Sequence, residues 1–224
     1  MITEKRSKRI EKFAGIDIYP VISSEFTCGR DPLDILKAVA DGGAKIVQMR
    51  EKHRTAKEAF AMAEKYREIC SNYDMLLIID DYAAIAAAVD ADGVHLGQDD
   101  LPLAAARELF PDLIIGASTH NEDEAVAAQK DGCDYLNIGP IFATQTKSLA
   151  MPPLGLDTLD RVKQLVKCPF TVMGGIKQHH LPELVRHGAR RIAMVTEITA
   201  AEDVTAKVTE LRNAIITAIQ QENK

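Results

Sequence analysis

Two pairs of adjacent aspartates follow two consecutive apolar segments of the chain. Asp80-Asp81 follows the apolar run Met75–Ile79, and Asp99-Asp100 comes shortly after the run Gly93–Gly97. The alanine-rich stretch between the runs predicts a helix, and strand, helix, strand is a unit whose two strands run parallel. Both acid pairs then lie at the same carboxyl-terminal edge, where neighbouring strands are about 4.8 Å apart. One carboxylate from each pair could bind a shared divalent cation.

These acid pairs also have a purely structural explanation. Aspartate after a strand is a frequent N-cap of the next helix, and its neighbour is often a solvated loop residue. The occurrence of two pairs at one edge favours the cation site without deciding it. The decision depends on the residues at the ends of the other strands.

A basic segment follows the second predicted strand, with the sequence Gln48-Met49-Arg50-Glu51-Lys52. Alternation along a strand puts Gln48 and Arg50 on one side, with Lys52 just beyond the edge. An arginine fork and a lysine point charge suit a phosphate or a pyrophosphate. The alternative is that these bases only pair with a neighbouring acid, Asp80 or Asp81.

The longest predicted connection, Gly139 to Gly155, carries a second polar string. Thr144, Thr146 and Lys147 place two hydroxyl groups and an ammonium group within four residues. A loop of this kind can enclose an anion, and its alternative interpretation is a polar surface loop.

Glycines follow the seventh predicted strand, and Val195-Thr196 follows the eighth, before a turn that could be helical. Gly174-Gly175 would let a ligand approach the backbone, or would only serve a tight turn. In parallel barrels, the loops after strands seven and eight often form a phosphate cup from backbone N–H groups. Of the histidines, His95 is predicted to be an interior residue with satisfied hydrogen bonds. His120 is predicted to lie at the barrel mouth, where it either reaches a ligand or has a structural role.

The elements that must position these residues alternate regularly along the chain. Eight helices are predicted between and after eight strands, which is the pattern of a single-domain (β/α)₈ barrel. An open doubly wound sheet is the alternative, although it usually has fewer units. We predict a short N-terminal extension, residues 1–13, that is helical, and a catalytic barrel domain, residues 14–224. A capping box of Thr199 and Glu202 is expected to open the final helix. The predicted strands are Ile16–Ile22, Ala44–Met49, Met75–Ile79, Gly93–Gly97, Leu113–Ala117, Tyr135–Ile138, Phe170–Met173 and Arg191–Val195.

Composition excludes several classes of function. The 224 residues are 46% hydrophobic, which is ordinary for a globular protein, and the net charge of −6 argues against nucleic-acid binding. No apolar run is long enough to cross a bilayer, and the basic N-terminus lacks the apolar core of a secretory signal. The four cysteines are scattered along the chain, which argues against both a zinc site and a disulfide framework. We therefore expect a cytoplasmic protein. The oligomeric state stays open, with a homo-oligomer as one candidate.

Five strings, in order and at the expected strand ends, resemble thiamine-phosphate synthase, within the superfamily that also contains the thiazole tautomerases. The resemblance extends from about Ile16 to the last helix. The strings are QMREK at Gln48–Lys52, ADGVHLGQDD at Ala91–Asp100, ASTHN at Ala117–Asn121, GPIFATQTK at Gly139–Lys147 and GGI at Gly174–Ile176.

The resemblance implies an enzyme that joins a pyrimidine methyl pyrophosphate to a thiazole phosphate, giving thiamine monophosphate and pyrophosphate, with Mg²⁺ as cofactor. The pyrophosphate would leave first, in a dissociative substitution. Asp81 and Asp100 would hold the metal, and Arg50, Lys52, Ser118 and Lys147 would be catalytic. The residues implied to bind the substrates are Gln48, Arg50, Glu51, Lys52, Asp80, Ser118, Thr144, Thr146, Lys147, Gly175, Val195 and Thr196.

Two positions depart from the family pattern. Asp80 stands where the family usually has Asn, and an ionised carboxylate cannot donate a hydrogen bond to pyrophosphate. Thr196 stands where Ser is usual, which costs little if backbone N–H groups bind the phosphate. Two other functions remain as hypotheses: a thiazole tautomerase-type isomerase that needs no metal, and a non-catalytic protein that binds thiamine phosphates.

Overall fold

The computed structural model describes residues 2–144 and 152–222 of the chain. Within these residues, eight parallel strands close into a barrel, in which each strand pairs with the next in sequence and the last pairs with the first. The closed barrel confirms the predicted single-domain (β/α)₈ fold and excludes the open sheet. The strands are β1 (Ile18–Ile22), β2 (Ile46–Met49), β3 (Leu76–Asp80), β4 (Gly93–Leu96), β5 (Ile114–Thr119), β6 (Tyr135–Ile138), β7 (Phe170–Val172) and β8 (Ile192–Met194).

One helix precedes the barrel, and the others follow its strands. None of the helices described is both long and apolar enough to cross a lipid bilayer. The helices are α1 (Glu4–Ala14), α2 (Pro32–Asp41), α3 (Ala56–Asn72), α4 (Ala83–Ala88), α5 (Leu103–Leu109), α6 (Glu122–Lys130), α7 (Gly155–Leu165), α8 (Leu181–Arg186), α9 (Thr196–Thr199) and α10 (Val204–Glu222).

The strands have apolar side chains on both faces because each face packs against a different core. Val47 and Leu77 point outward and join the large core beneath the helices. Ile46, Ile78 and Tyr135 belong to a smaller cluster inside the barrel. This two-sided burial is typical of parallel sheets, and it explains why the strands appear in the sequence as continuous apolar runs.

Helix α1 lies across the amino-terminal end of the barrel. Its Phe13 is buried and stacks on Tyr135, with 4.4 Å between the ring centroids. Arg9 is also buried and donates to the backbone oxygen of Asp112 at 2.8 Å, and Arg6 forms a 2.7 Å ion pair with Asp134. The helix ends one residue beyond the predicted extension, residues 1–13. We keep the division into this extension and a barrel domain, residues 14–224, as an interpretation.

The start of the last helix differs from the prediction. Thr199 ends α9, and its hydroxyl donates to the backbone oxygen of Phe26 at 2.7 Å, far from the start of α10. The Asp203 carboxylate instead accepts the N–H of Ala206 at 2.9 Å, as a capping residue does. The predicted capping box of Thr199 and Glu202 is therefore wrong, because a distant segment has taken the threonine hydroxyl.

Candidate active site

The third and fourth strands place their carboxyl-terminal residues side by side. Strand β3 pairs in parallel with β4, and Asp80 lies opposite His95. This confirms the adjacency expected from the two acid pairs. Asp80 is the last residue of β3, one position further than the predicted strand, and Asp81 turns away in the left-handed region with a φ of +62°. That turn separates the directions of the two neighbouring carboxylates.

Two bases after β2 face these acids across the barrel mouth. Lys52 Nζ lies 3.1 Å from Asp80 Oδ2 and also pairs with the Asp81 carboxylate. Arg50 Nε is 3.6 Å from Asp80 Oδ2. The pairing of these bases with Asp80 and Asp81, which was the alternative to a phosphate site, therefore occurs. It does not exclude phosphate binding, because an anion could compete for the same cations.

The Asp80 carboxylate is imperfectly matched to its surroundings. Its Oδ2 atom is buried and accepts no well-directed hydrogen bond, although both bases are near. Partial burial alone would lower the pKa of Lys52, but attraction to Asp80 and Asp81 outweighs it and raises that pKa. The cluster therefore holds its lysine charged.

Asp81 follows Asp80 in the sequence and lies close to Asp100. Burial, followed by repulsion from Asp80, raises the pKa of Asp81 to about 7, and Lys52 only partly opposes this. Asp100 Oδ2 also accepts the N–H of Gly97 at 2.6 Å, which fixes its orientation. Two acids forced together in this way are stabilised by a bound cation.

The donor set fits a magnesium ion better than a metal enclosed by protein ligands. No cluster of three or more His, Cys, Asp or Glu side chains suited to a metal occurs in the described part of the chain. Magnesium is commonly bound by one or two carboxylates and completes its shell with water and substrate phosphate oxygens. Asp81 and Asp100, with the poorly satisfied Asp80 oxygen beside them, meet that requirement.

A buried polar chain crosses the interior of the barrel below this mouth. Gln48 donates to the Tyr19 hydroxyl at 3.1 Å, and this hydroxyl lies 3.0 Å from that of Tyr135. His95 lies 3.1 Å from the Tyr135 hydroxyl and, through Nε2, 3.0 Å from Ser118 Oγ. The prediction that His95 is a satisfied interior residue is confirmed, and the chain links two of the predicted binding residues, Gln48 and Ser118.

Sequence reasoning missed Tyr19 and Tyr135 as parts of this chain. Both rings lie in the apolar interior, and burial raises the pKa of each hydroxyl well above its ordinary value. The available signal was their occurrence at inward positions of strands, since a buried tyrosine needs a partner for its hydroxyl. It could not identify that partner.

Glu51 is placed differently from the other residues of its segment. Its carboxylate accepts the N–H and hydroxyl of Ser24, at 3.1 and 2.6 Å, and pairs with Arg54 at 3.0 Å. These contacts hold the loop after β1 against the segment after β2. A substrate contact for Glu51 stays a prediction, and its side chain has a structural partner on both oxygens.

A cleft lies beyond the ends of β7 and β8. Gly175, Val195 and Thr196 line it together with Thr144 from the loop after β6. The turn after β8 is helix α9, so the expected helical turn is present. Gly175 has a φ of +61°, and a side chain there would overlap the backbone of Phe142 and Ala143. The Gly-Gly pair therefore permits both a left-handed turn and a close approach of two loops.

Two predicted residues of the same loop, Thr146 and Lys147, lie outside the described residues. A neighbouring cleft is lined by residues that include Ser118, His120 and Thr144. His120 Nδ1 lies 2.8 Å from Glu124 Oε2, so the ring is held by the helix that follows it, α6, while it lines this cleft. Thr144 lines both clefts, so Ser118 in the second cleft lies near the expected phosphate cup beyond β7 and β8.

The fold and the mouth together define a class of protein, a parallel barrel enzyme whose loops are suited to phosphorylated small molecules. The family model described as "Thiamine monophosphate synthase" matches residues 18–198. The chain belongs to this family.

Named relatives agree with the family match over nearly the whole chain. Thiamine-phosphate synthase of Pelotomaculum thermopropionicum is 44% identical over 200 residues, covering 89% of this chain and 92% of the relative. The enzyme of the same name from Caldicellulosiruptor bescii is 40% identical, covering 91% and 93%. The solved structure of thiamine phosphate pyrophosphorylase from Pyrococcus furiosus superposes with a TM-score of 0.84 at 33% identity, covering 91% of this chain and 97% of that one.

Proposed function

We propose that the protein joins an aminopyrimidine methyl pyrophosphate to a thiazole phosphate, giving thiamine monophosphate and pyrophosphate. The observation that carries the proposal is the arrangement of one barrel mouth. Arg50, Lys52 and the Asp81–Asp100 pair lie on one side of it, and the cleft at Gly175 and Thr196 lies beyond β7 and β8. Membership of the family supports the pairing of these two sites with these two substrates.

The pyrimidine pyrophosphate would bind at the basic side of the mouth. Arg50 and Lys52 would exchange their contacts with Asp80 and Asp81 for pyrophosphate oxygens, as cations suited to that geometry. Gln48 and Ser118, oriented by the interior tyrosines and His95, would bind the same substrate. Lys147 would complete this set from the loop outside the described residues, and a substrate contact of Glu51 belongs to the same proposal.

Asp81 and Asp100 would hold a magnesium ion. A bound magnesium ion supplies positive charge to pyrophosphate oxygens and so improves the leaving group. The raised pKa of Asp81, caused by burial and then by the charge of Asp80, supports the assignment together with the proximity of Asp100, because a cation at that point would offset both causes.

The thiazole phosphate would occupy the cleft beyond β7 and β8. The first N–H groups of a helix point outward without helical partners, and α9 begins in this cleft at Thr196. The hydroxyls of Thr144 and Thr196 and the backbone at Gly175 and Val195 add donors around the same volume. Thr146 would contribute from outside the described residues.

The chemistry requires positioning rather than a general base. The C–O bond to pyrophosphate breaks, the aminopyrimidine stabilises the resulting cation, and the thiazole nitrogen then forms the new C–N bond. Arg50, Lys52, Ser118 and Lys147 would stabilise the departing charge, which is the role of fixed donors in such transfers. No proton has to be removed from the attacking nitrogen.

The two other hypotheses are not favoured. The curated relatives that cover about nine-tenths of the chain are named synthases, which supports the transferase over an isomerase. The full GQDD string, with Asp81 against Asp100, supports a metal-dependent reaction and catalysis rather than binding alone. We also propose a cytoplasmic location, supported by the free state of the four cysteines, and a homo-oligomer remains a candidate to be measured by light scattering.

Purified protein with both phosphorylated substrates and Mg²⁺ tests the function. Stoichiometric release of pyrophosphate and thiamine monophosphate is expected, with loss of both when the metal is chelated. Omission of the thiazole phosphate is the control for simple hydrolysis. Turnover that is independent of metal and yields no pyrophosphate would revive the isomerase, and tight binding of thiamine monophosphate without turnover would favour the binding protein.

A further inference from the structure

An ion pair connects the two walls of the cleft beyond β7 and β8. Lys177 lies on the segment after β7, and Glu197 lies in α9 after β8. Lys177 Nζ is 3.0 Å from Glu197 Oε2, and both residues line the cleft beside Gly175 and Thr196. The pair therefore lies where the phosphate of a ligand would be held.

The two partners are not equally fixed. The Glu197 side chain is 17% exposed and has a second contact, since its Oε1 accepts the N–H of Gln178 at 3.3 Å. The Lys177 side chain is 48% exposed and ends a flexible four-carbon stem. The Lys177 side chain can therefore move within the cleft, while Glu197 keeps its hydrogen bond from the Gln178 N–H.

The charged side chains of the cleft determine how it would interact with a phosphate. Among its described lining residues, Lys177 and Glu197 are the ones with charged side chains. A carboxylate in the wall of a phosphate site repels the ligand, and this repulsion is weakly screened in a partly enclosed cleft. The ion pair with Lys177 offsets the charge of the Glu197 carboxylate, and the lysine would offer a cation to a phosphate that enters.

We propose that Lys177 is a phosphate-binding residue of this cleft, which Glu197 positions through their ion pair and releases to an entering phosphate. Glu197 then keeps its bond with the Gln178 N–H and weakens phosphate binding by its charge. The identity of the ligand as a thiazole phosphate rests on the proposed function, whereas binding of a phosphate monoester by Lys177 does not.

The simplest competing explanation is a structural brace between the two loops. A brace predicts that loss of either partner disturbs the cleft in the same way. If Lys177 instead leaves Glu197 to bind the phosphate, loss of the two partners should have opposite effects on phosphate affinity. Loss of the lysine removes an attractive charge, whereas loss of the glutamate removes a repulsive one. The sign of the change in affinity therefore separates the two.

The experiment compares Lys177→Met, Glu197→Gln and the double variant with the unaltered protein. Binding of inorganic phosphate is measured by calorimetry, and the KM of each substrate is measured by turnover. We expect Lys177→Met to weaken phosphate binding and raise the KM for thiazole phosphate about tenfold. Glu197→Gln is expected to strengthen phosphate binding severalfold, and the KM for pyrimidine pyrophosphate should stay unchanged in both. Lys57→Met, at an exposed position of α3, is the matched control and should change neither quantity.

The outcomes distinguish this inference from the proposed function. If no turnover occurs with any variant but phosphate affinity still changes in opposite directions, the reaction is wrong and the role of Lys177 stands. If turnover occurs and both variants weaken phosphate binding equally, Lys177 is a brace and the inference is overturned. An unchanged phosphate affinity in Lys177→Met would also overturn it.

Discussion

Asp80 and Lys52 face each other across the ends of β3 and β2, with 3.1 Å between Oδ2 and Nζ. The family usually has an asparagine at the position of Asp80, so a neutral donor is replaced by a charge. That charge is turned toward the two cations proposed to bind pyrophosphate, since Arg50 lies 3.6 Å from the same oxygen. An incoming pyrophosphate must therefore compete with a built-in carboxylate.

Replacement of Asp80 by Asn is expected to lower the KM for the pyrimidine pyrophosphate. The variant frees Arg50 from an ion pair and restores an amide that can donate to the substrate. A change of about three- to tenfold is expected, the scale of one partly screened charge interaction. Steady-state kinetics with each substrate varied in turn provide the measurement, and the KM for thiazole phosphate is the internal control. A rise in the KM for the pyrophosphate would mean that Asp80 assists binding, through the metal or as an acid.

Removal of either proposed metal carboxylate is expected to abolish magnesium-dependent turnover. Asp81→Ala and Asp100→Ala each remove one of the two proposed ligands, which would displace the ion from its position beside the pyrophosphate, and a loss of at least ~100-fold is expected. Circular dichroism should show an intact fold, because both residues lie in loops at the mouth. Asp99→Ala, an exposed neighbour on the same loop, should keep full activity. Full activity in Asp81→Ala or Asp100→Ala would remove that residue from the metal site.

A methyl group at position 175 is expected to damage the phosphate cleft. In Gly175→Ala the new carbon overlaps the backbone of Phe142 and Ala143, and the φ of +61° is unfavourable for alanine. We expect the KM for thiazole phosphate to rise about tenfold or more. Gly132→Ala separates the two causes, since Gly132 has a φ of +88° with open space around it and lies far from the cleft. Equal kinetics in the two variants would show that the close approach at position 175 has no role in binding.

Truncation of Phe13 is expected to destabilise the barrel from its amino-terminal end. Phe13→Ala removes a buried ring stacked on Tyr135 and should cost about 3–5 kcal/mol of unfolding free energy. For a chain of this size the melting temperature should fall by roughly 10 °C. Glu11→Ala, at an exposed position of the same helix, should leave the melting temperature within a degree or two. An unchanged melting temperature in Phe13→Ala would show that α1 is not part of the cooperative fold.

The fold was predictable from the sequence because its signals are local. Runs such as Met75–Ile79 and Gly93–Gly97 indicate buried strands, and helices between them force a parallel arrangement. The neighbouring position of Asp81 and Asp100 follows from that topology, and the parallel pairing of β3 with β4 agrees with it. The predicted capping box of Thr199 and Glu202 was wrong because it rested on a local sequence pattern. In the structure the Thr199 hydroxyl donates to the backbone oxygen of Phe26, 173 positions away.

The details of the site were not predictable in the same way. The contacts of Glu51 with Ser24 and Arg54, and those of Gln48 with Tyr19, join segments whose distance depends on how the barrel closes. The same is true of Lys177 and Glu197, which belong to different βα units. Nothing in the sequence around either residue indicates the other.

By itself, the sequence determined the order of strands and helices, their parallel arrangement and the set of polar residues at the carboxyl-terminal ends of the strands, and it favoured a closed barrel that the structure confirms. Only the tertiary structure decided which of those residues contact one another: Lys52 with both Asp80 and Asp81, Ser118 with His95, and Lys177 with Glu197. The physical reason is that apolar periodicity acts over a few residues, whereas the partner of a charge or hydroxyl is chosen by distance in space once the barrel has closed.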